Sequence, residues 1–194
     1  ALARTSQWWR AFWQRSWVSC DAGPSVEVPE NAHPIRIGMD ASGGSRFKGT
    51  IGAVEVTGKP LTPAEIEALA SAAPKTSAPS NILAPDFASG LTISAWIQPA
   101  EQPFGRIVDK ISVGGSDGFL LDSPDGGRLR LIIGSATLQT PPGMLNPGAW
   151  QHVSATYDPK SGAMTVFLNG KPAAGPASAL SGSGSQTHGL FIGA

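Results

Sequence analysis

Residues 150–171, WQHVSATYDPKSGAMTVFLNGK, constrain the fold more tightly than any other stretch of the chain. Val153, Ala155 and Tyr157 alternate with polar neighbours in the first half, and Met164, Val166 and Leu168 do so in the second. A period of two is what a half-buried antiparallel strand requires, because successive side chains leave opposite faces of a sheet. DPKSG at 158–162 supplies a turn between the halves, and Asn169-Gly170 supplies another straight after. The segment predicts a β-hairpin with one apolar face.

The rest of the chain is punctuated in the same manner. With 24 glycines and 17 prolines in 194 residues, spread between alternating runs, the composition suits the turns of a sandwich or barrel and excludes a helical protein. The length is enough to bury a core. The 14 basic and 14 acidic residues cancel, leaving no whole-chain footprint for nucleic acid or an anionic membrane. Cys20 stands alone, which excludes an intrachain disulfide and a cysteine zinc cluster. No apolar run is long enough to span a bilayer. Arg10 and Arg15 interrupt what would be the apolar stretch of a signal peptide, and the absence of an initial Met suggests a piece of a longer protein.

Residues 4–18 read as a helix whose Trp9, Trp13 and Trp17 share a face with Trp8 and Phe12. Its readings are a helix from the core of a larger protein, a docking helix, or an interfacial helix. After a proline-rich loop, with a short strand at 26–28, come IRIG at 35–38 and RFKGTIGAVEVTG at 46–58, where Gly52 breaks the alternation and predicts a bulge. Thr62, Pro63 and Glu65 form the signature of a capping box, opening a short helix to about Ala72. Residues 73–85 read as a linker. Strands are predicted at 91–98, 105–111, 118–122, 128–133, 150–157, 163–168 and 189–192. HPIRIG at 33–38 and HGLFIG at 188–193 share His, an apolar residue, Ile and Gly at one spacing. Read as a repeat, this match implies that whatever follows Ala194 in a parent protein would look like residues 39–70.

Several motifs in order, LTISAWIQP (91–99), GRIVDK (105–110), DGFLLD (117–122), GRLRLIIG (127–134), GAWQHVSATYD (148–158) and TVFLNGK (165–171), resemble the laminin-G-like, concanavalin-A-like jelly roll. Residues 39–69 resemble the closing segment of that family, here placed first. The resemblance implies an all-β, antiparallel two-sheet sandwich with its closing strand early in the chain. Either that strand folds back to complete the sheet, as in a permuted domain, or the chain joins the tail of one domain to a truncated next one. The division expected is 1–32 as an aromatic helix and loop, 33–72 as closing elements, 73–85 as linker and 86–194 as the main body. TSQWWRAFWQRSWV at 5–18 resembles a helix of large bacterial glycoside-hydrolase-like proteins, which implies a secreted, extracellular or periplasmic, carbohydrate-active parent.

Concanavalin-A-like glucanases carry carboxylates two or three apart on one strand, as E-x-D-x-x-E, to flank a glycosidic bond. No such triplet exists here, so the sandwich itself is expected to be non-catalytic. Glu65 and Glu67 suit the capped helix, while Asp122 and Asp125 straddle a turn. His33 and His188 suit a structural role at strand starts. The family implies calcium on loop oxygens, for which Asp40, Asp109 and Asp117 are the candidates. In the first main strand Leu91, Ile93, Ala95 and Ile97 form the core face, so Thr92, Ser94, Trp96 and Gln98 share the other. That polar face, with Trp96, Ser94, His152, Phe167 and Asn169, is the candidate groove for an oligo- or polysaccharide, since ring faces stack on sugars and polar groups bind hydroxyls. The alternatives are packing of these aromatics under loops, a spacer that binds nothing, or a fragment of a glycoside hydrolase. An unpaired edge strand would offer self-association.

Overall fold

The computed structural model describes residues 28–72 and 87–178. The aromatic helix of residues 4–18, the linker, His188 and the strand expected at 189–192 lie outside the described residues, and the strand expected at 26–28 crosses their boundary.

Ten strands form two five-stranded antiparallel sheets. In one, β1 (Arg36–Ile37), β4 (Gly105–Lys110), β5 (Phe119–Ser123), β6 (Arg130–Ile133) and β7 (Ala136–Gln139) are neighbours in that order. In the other the order is β10 (Lys171–Ser178), β9 (Ala163–Leu168), β8 (Gln151–Asp158), β3 (Leu91–Pro99) and β2 (Gly49–Thr57). The hairpin of residues 150–171 is β8 and β9, with Tyr157 opposite Met164 and Ala155 opposite Val166. Ile93, Ile97, Val153, Tyr157 and Val166 from this sheet meet Ile107, Phe119, Leu121, Leu131 and Ile133 from the other, all at most 1% exposed. The two-sheet sandwich that the resemblance implies is therefore the one observed, with these apolar side chains of the two inner faces packed together.

The early segment closes both sheets within the same chain. β2 pairs with β3 from Gly49 opposite Pro99 to Thr57 opposite Thr92, and β1 pairs with β4. The bulge expected at Gly52 is present, as a register shift between Ile51 and Val54. The helix α1 (Pro63–Ser71) carries the expected capping box, in which Thr62 N donates to Glu65 Oε2 at 2.7 Å and Glu65 N to Thr62 Oγ1 at 3.3 Å.

Two strands are additions to the expected set. β7 follows β6 through the two-residue turn Gly134-Ser135, with Gly134 at φ +56, which sets Ile133 opposite Ala136. β10, KPAAGPAS, has two prolines, which a central strand would not tolerate; it forms because it is an edge strand with irregular register against β9.

Candidate functional site

The polar face of β3 and β8 is largely buried rather than an open groove, with Thr92, Ser94, His152, Ser154 and Thr156 all shielded from solvent. Thr92 Oγ1 accepts from Leu61 N at 2.8 Å and donates to the Lys59 carbonyl at 2.7 Å, tying the approach to the helix onto the sheet. α1 then lies over β8 and the start of β10, with Ile66 fully buried. Small side chains permit this approach: Ser154 donates to the Ile93 carbonyl, and a Cβ on Gly170 would lie 3.0 Å from Glu67 Cα. Of the five residues predicted for sugar, Ser94, His152 and Phe167 are buried, Trp96 is partly exposed and Asn169 is exposed. Trp96 packs edge-on against His152, its register partner, at 5.3 Å between ring centroids. Asn169 Oδ1 accepts from His152 N at 2.9 Å, so this side chain is engaged in the turn after β9. His152 Nδ1 is buried without a hydrogen-bond partner, and burial lowers its pKa to about 4.

The three aspartates considered for calcium sit in three separate networks. Asp40 Oδ1 accepts from Ser42 N, Ser42 Oγ and Gly44 N at 2.7–2.9 Å; the Ser42 hydroxyl above all holds its pKa near 2. Asp117 accepts from Ser112 N and Oγ, which likewise hold its carboxyl near 2. Asp109 faces Arg36 Nη1 at 2.9 Å and Arg106 Nε at 3.6 Å. The three carboxylates are each engaged in a separate set of donors, and among the described residues no three His, Cys, Asp or Glu side chains gather as a metal site. The residues present do not fit a shared calcium ion.

His33, Ser112 and Asp117 do meet, with His33 Nε2 at 2.9 Å from Ser112 Oγ and 3.3 Å from Asp117 Oδ2. One ring nitrogen faces both partners, however. A nucleophilic triad needs the serine and the carboxylate on opposite ring nitrogens. The cluster instead anchors the chain ahead of β1, as expected for His33.

The outer face of the other sheet carries an ordered row of charges that sequence reading did not assemble. Arg36, Asp109, Arg106, Asp122 and Arg130 alternate in sign across β1, β4, β5 and β6. Arg130 grips Asp122 with two bonds, at 3.0 and 2.7 Å. Arg106 and Asp109 would face opposite sides of a regular strand; the register shift between Arg106 and Val108 turns them to the same side. Asp109 is fully buried, and that desolvation raises its pKa against the pull of Arg106 and Arg36.

At one end of the sandwich four loops enclose a cleft of about 470 Å³ lined by Lys48, Glu101, Gln102, Phe104, Asp125 and Leu145, among others. Phe104 is 42% exposed, and the Lys48 ammonium lies 5.9 Å from its ring centroid. The walls are held by the backbone. Lys48 N donates to the Phe104 carbonyl, Gly148 N to that of Pro99, and Met144 N and Leu145 N both to that of Gly127. Asp125 enters through the turn Gly126-Gly127, whose φ values of +58 and +65 favour glycine. The cleft combines an aromatic plane with carboxylates, an amide and an amine in a preformed cavity of ligand-binding size. Phe104 was legible only as an aromatic stranded between Pro103 and Gly105, outside any alternating run.

Two packed five-stranded antiparallel sheets define a β-sandwich of the jelly-roll class. The chain belongs to the concanavalin A-like lectin/glucanases superfamily, which in its laminin G-like form matches residues 73–194. No curated protein and no solved structure matches the chain. The matched region holds β3 to β10, whereas β1, β2 and α1 precede it.

Proposed function

We propose that this chain is a non-catalytic carbohydrate-binding or adhesion module, with the rim cleft around Phe104 as its glycan site. The observation that carries the reading is the cleft itself, in which an exposed ring stands beside Lys48, Glu101, Gln102 and Asp125 on walls fixed by backbone hydrogen bonds. A pyranose presents an apolar C–H face to such a ring and hydroxyls to such side chains. Membership of a lectin and glucanase superfamily supports the class of ligand, and Asp122, gripped by Arg130 and paired with Arg106, is poorly placed for acid–base work on a substrate. An extracellular or periplasmic setting within a larger carbohydrate-active bacterial protein goes with this reading.

The test is a glycan-array screen of the full chain beside Phe104→Ala, Asp125→Ala and Trp96→Ala, in calcium and in chelator. The expected result is specific binding weakened at least about tenfold, or about 1.4 kcal/mol, by Phe104→Ala and unchanged in Trp96→Ala. Loss only in Trp96→Ala would return the site to the predicted sheet face with Asn169. Loss only in chelator would restore a calcium-dependent site. A folded chain that binds nothing would make the sandwich a structural spacer.

A further inference from the structure

A second cavity stands beside the rim cleft. It holds about 460 Å³ against about 470 Å³ for the first, and both fall within the roughly 300–1,000 Å³ usual for ligand pockets. Met144, Leu168 and Pro172 give it apolar walls, and Asn169 and Lys171 supply its polar groups. Local geometry makes it. Asn169-Gly170, with φ values of +49 and +79, joins β9 to β10 in a two-residue turn. Asn169 Oδ1 is committed to His152 N, so what this exposed side chain has to offer is its amide nitrogen. Directly after the turn the ladder slips. Pro172 pairs with Phe167 and Ala174 with Val166, which leaves Ala173 as the extra residue of a bulge, lining the cavity.

A single pass of the chain divides the two cavities. Gly143, Leu145 and Pro147 line the first and Met144 the second, and consecutive Cα atoms are only about 3.8 Å apart. The divide is pinned: Met144 N and Leu145 N both donate to the Gly127 carbonyl at 3.0 Å, and Gly143 N to that of Gly126 at 2.8 Å. It is also bare at Gly143, which is exposed and where a Cβ would meet no atom within 4 Å. Both cavities lie at the end of the sandwich where β3 and β9 finish and β8 and β10 begin. We propose that they are subsites of one trough, and that the module grips an internal stretch of a polysaccharide rather than a terminal sugar. This rests on the reading of the rim cleft as a glycan site. One terminal sugar would need one cavity. Two of similar size, each setting apolar walls beside hydrogen-bonding side chains, suit successive units of one polymer. Once a unit is seated on Phe104, the units joined to it meet Asn169 and Lys171 at high effective concentration.

Calorimetric titration of the full chain with cello-, xylo-, manno- and chito-oligosaccharides of increasing length tests this. In the series that binds, affinity is expected to rise at least about tenfold from the shortest ligand bound to the longest, and then to level off. Ala173→Arg, which fills the second cavity from an edge strand, is expected to abolish that gain and leave the shortest ligand's affinity unchanged. Lys171→Ala, at an exposed position, is expected to reduce the gain at least about threefold, and it decides the matter if Ala173→Arg fails to fold. Phe104→Ala is expected to weaken ligands of every length. Affinity independent of length would overturn the trough and leave the rim cleft as a glycan site. So would folded second-cavity variants that weaken short and long ligands alike, or neither. No binding by any series would overturn both readings.

Discussion

His152 shows how a polar residue on an alternating strand ends up in a buried environment. Its partner across the ladder is Trp96, whose ring meets the imidazole edge-on, and its Nδ1 has no hydrogen-bond partner. Burial disfavours the imidazolium, lowering the pKa from 6.5 to about 4. The unfolded chain therefore binds a proton at a pH where the folded chain does not. Stability from this group is fully present above pH 6.5 and is lost as the pH falls towards 4, by up to roughly 3 kcal/mol. Urea midpoints between pH 7 and 4 are expected to fall steeply for the native chain and to flatten in His152→Gln; equal slopes would remove His152 as the cause. Asp40 and Asp117, both held near 2 first by serine hydroxyls, act in a lower window. Their contribution is present above about pH 4 and is lost as the pH falls through 2.

At the level of elements, alternation tells which side chains of a strand face the core, and it did so for Leu91, Ile93, Ala95 and Ile97. It does not tell what covers the opposite face. Ser94 and Phe167 were read as a sugar surface, yet both are buried, and nothing in β3 or β9 alone records what lies over that face. The capping box at Thr62 was legible because its contacts span three residues, while the charge row was not, because Asp122 finds Arg106 and Arg130 only once register and a bulge are fixed. β10 was missed for the opposite reason: its prolines argue against a strand, and an edge tolerates them. The seating of α1 gives a graded prediction. Thr62→Ala removes the cap and is expected to cost about 1 kcal/mol. Ile66→Ala empties a fully buried position and is expected to cost about 2–5 kcal/mol. Chemical denaturation of both variants checks the order; a cap that costs more than the core contact would mean that α1 is not held through Ile66.

For the whole molecule, the family match and the folded unit have different boundaries. Residues 73–194 match the superfamily, yet the outermost strand on β3 and the strand on β4 both come from residues 36–57. Val54 and Val56 of β2 are 2% and 3% exposed, and Ile66 of α1 is fully buried. At about 1.5–3 kcal/mol for each such side chain, these three alone contribute an amount comparable to the 5–15 kcal/mol that holds a typical domain together. Removing the early segment would also bare the backbone edge of β3 along its length, which invites pairing with other chains. A fragment of residues 73–194 is therefore expected to lack a cooperative thermal transition and to aggregate, where the full chain melts as one unit. Supplying residues 28–72 as a separate peptide is expected to restore the transition, because the contacts they make with β3, β4 and β8 need no covalent link. A fragment that melts cooperatively at the temperature of the full chain would show that β3 to β10 suffice, and that the early strands decorate a sandwich already complete.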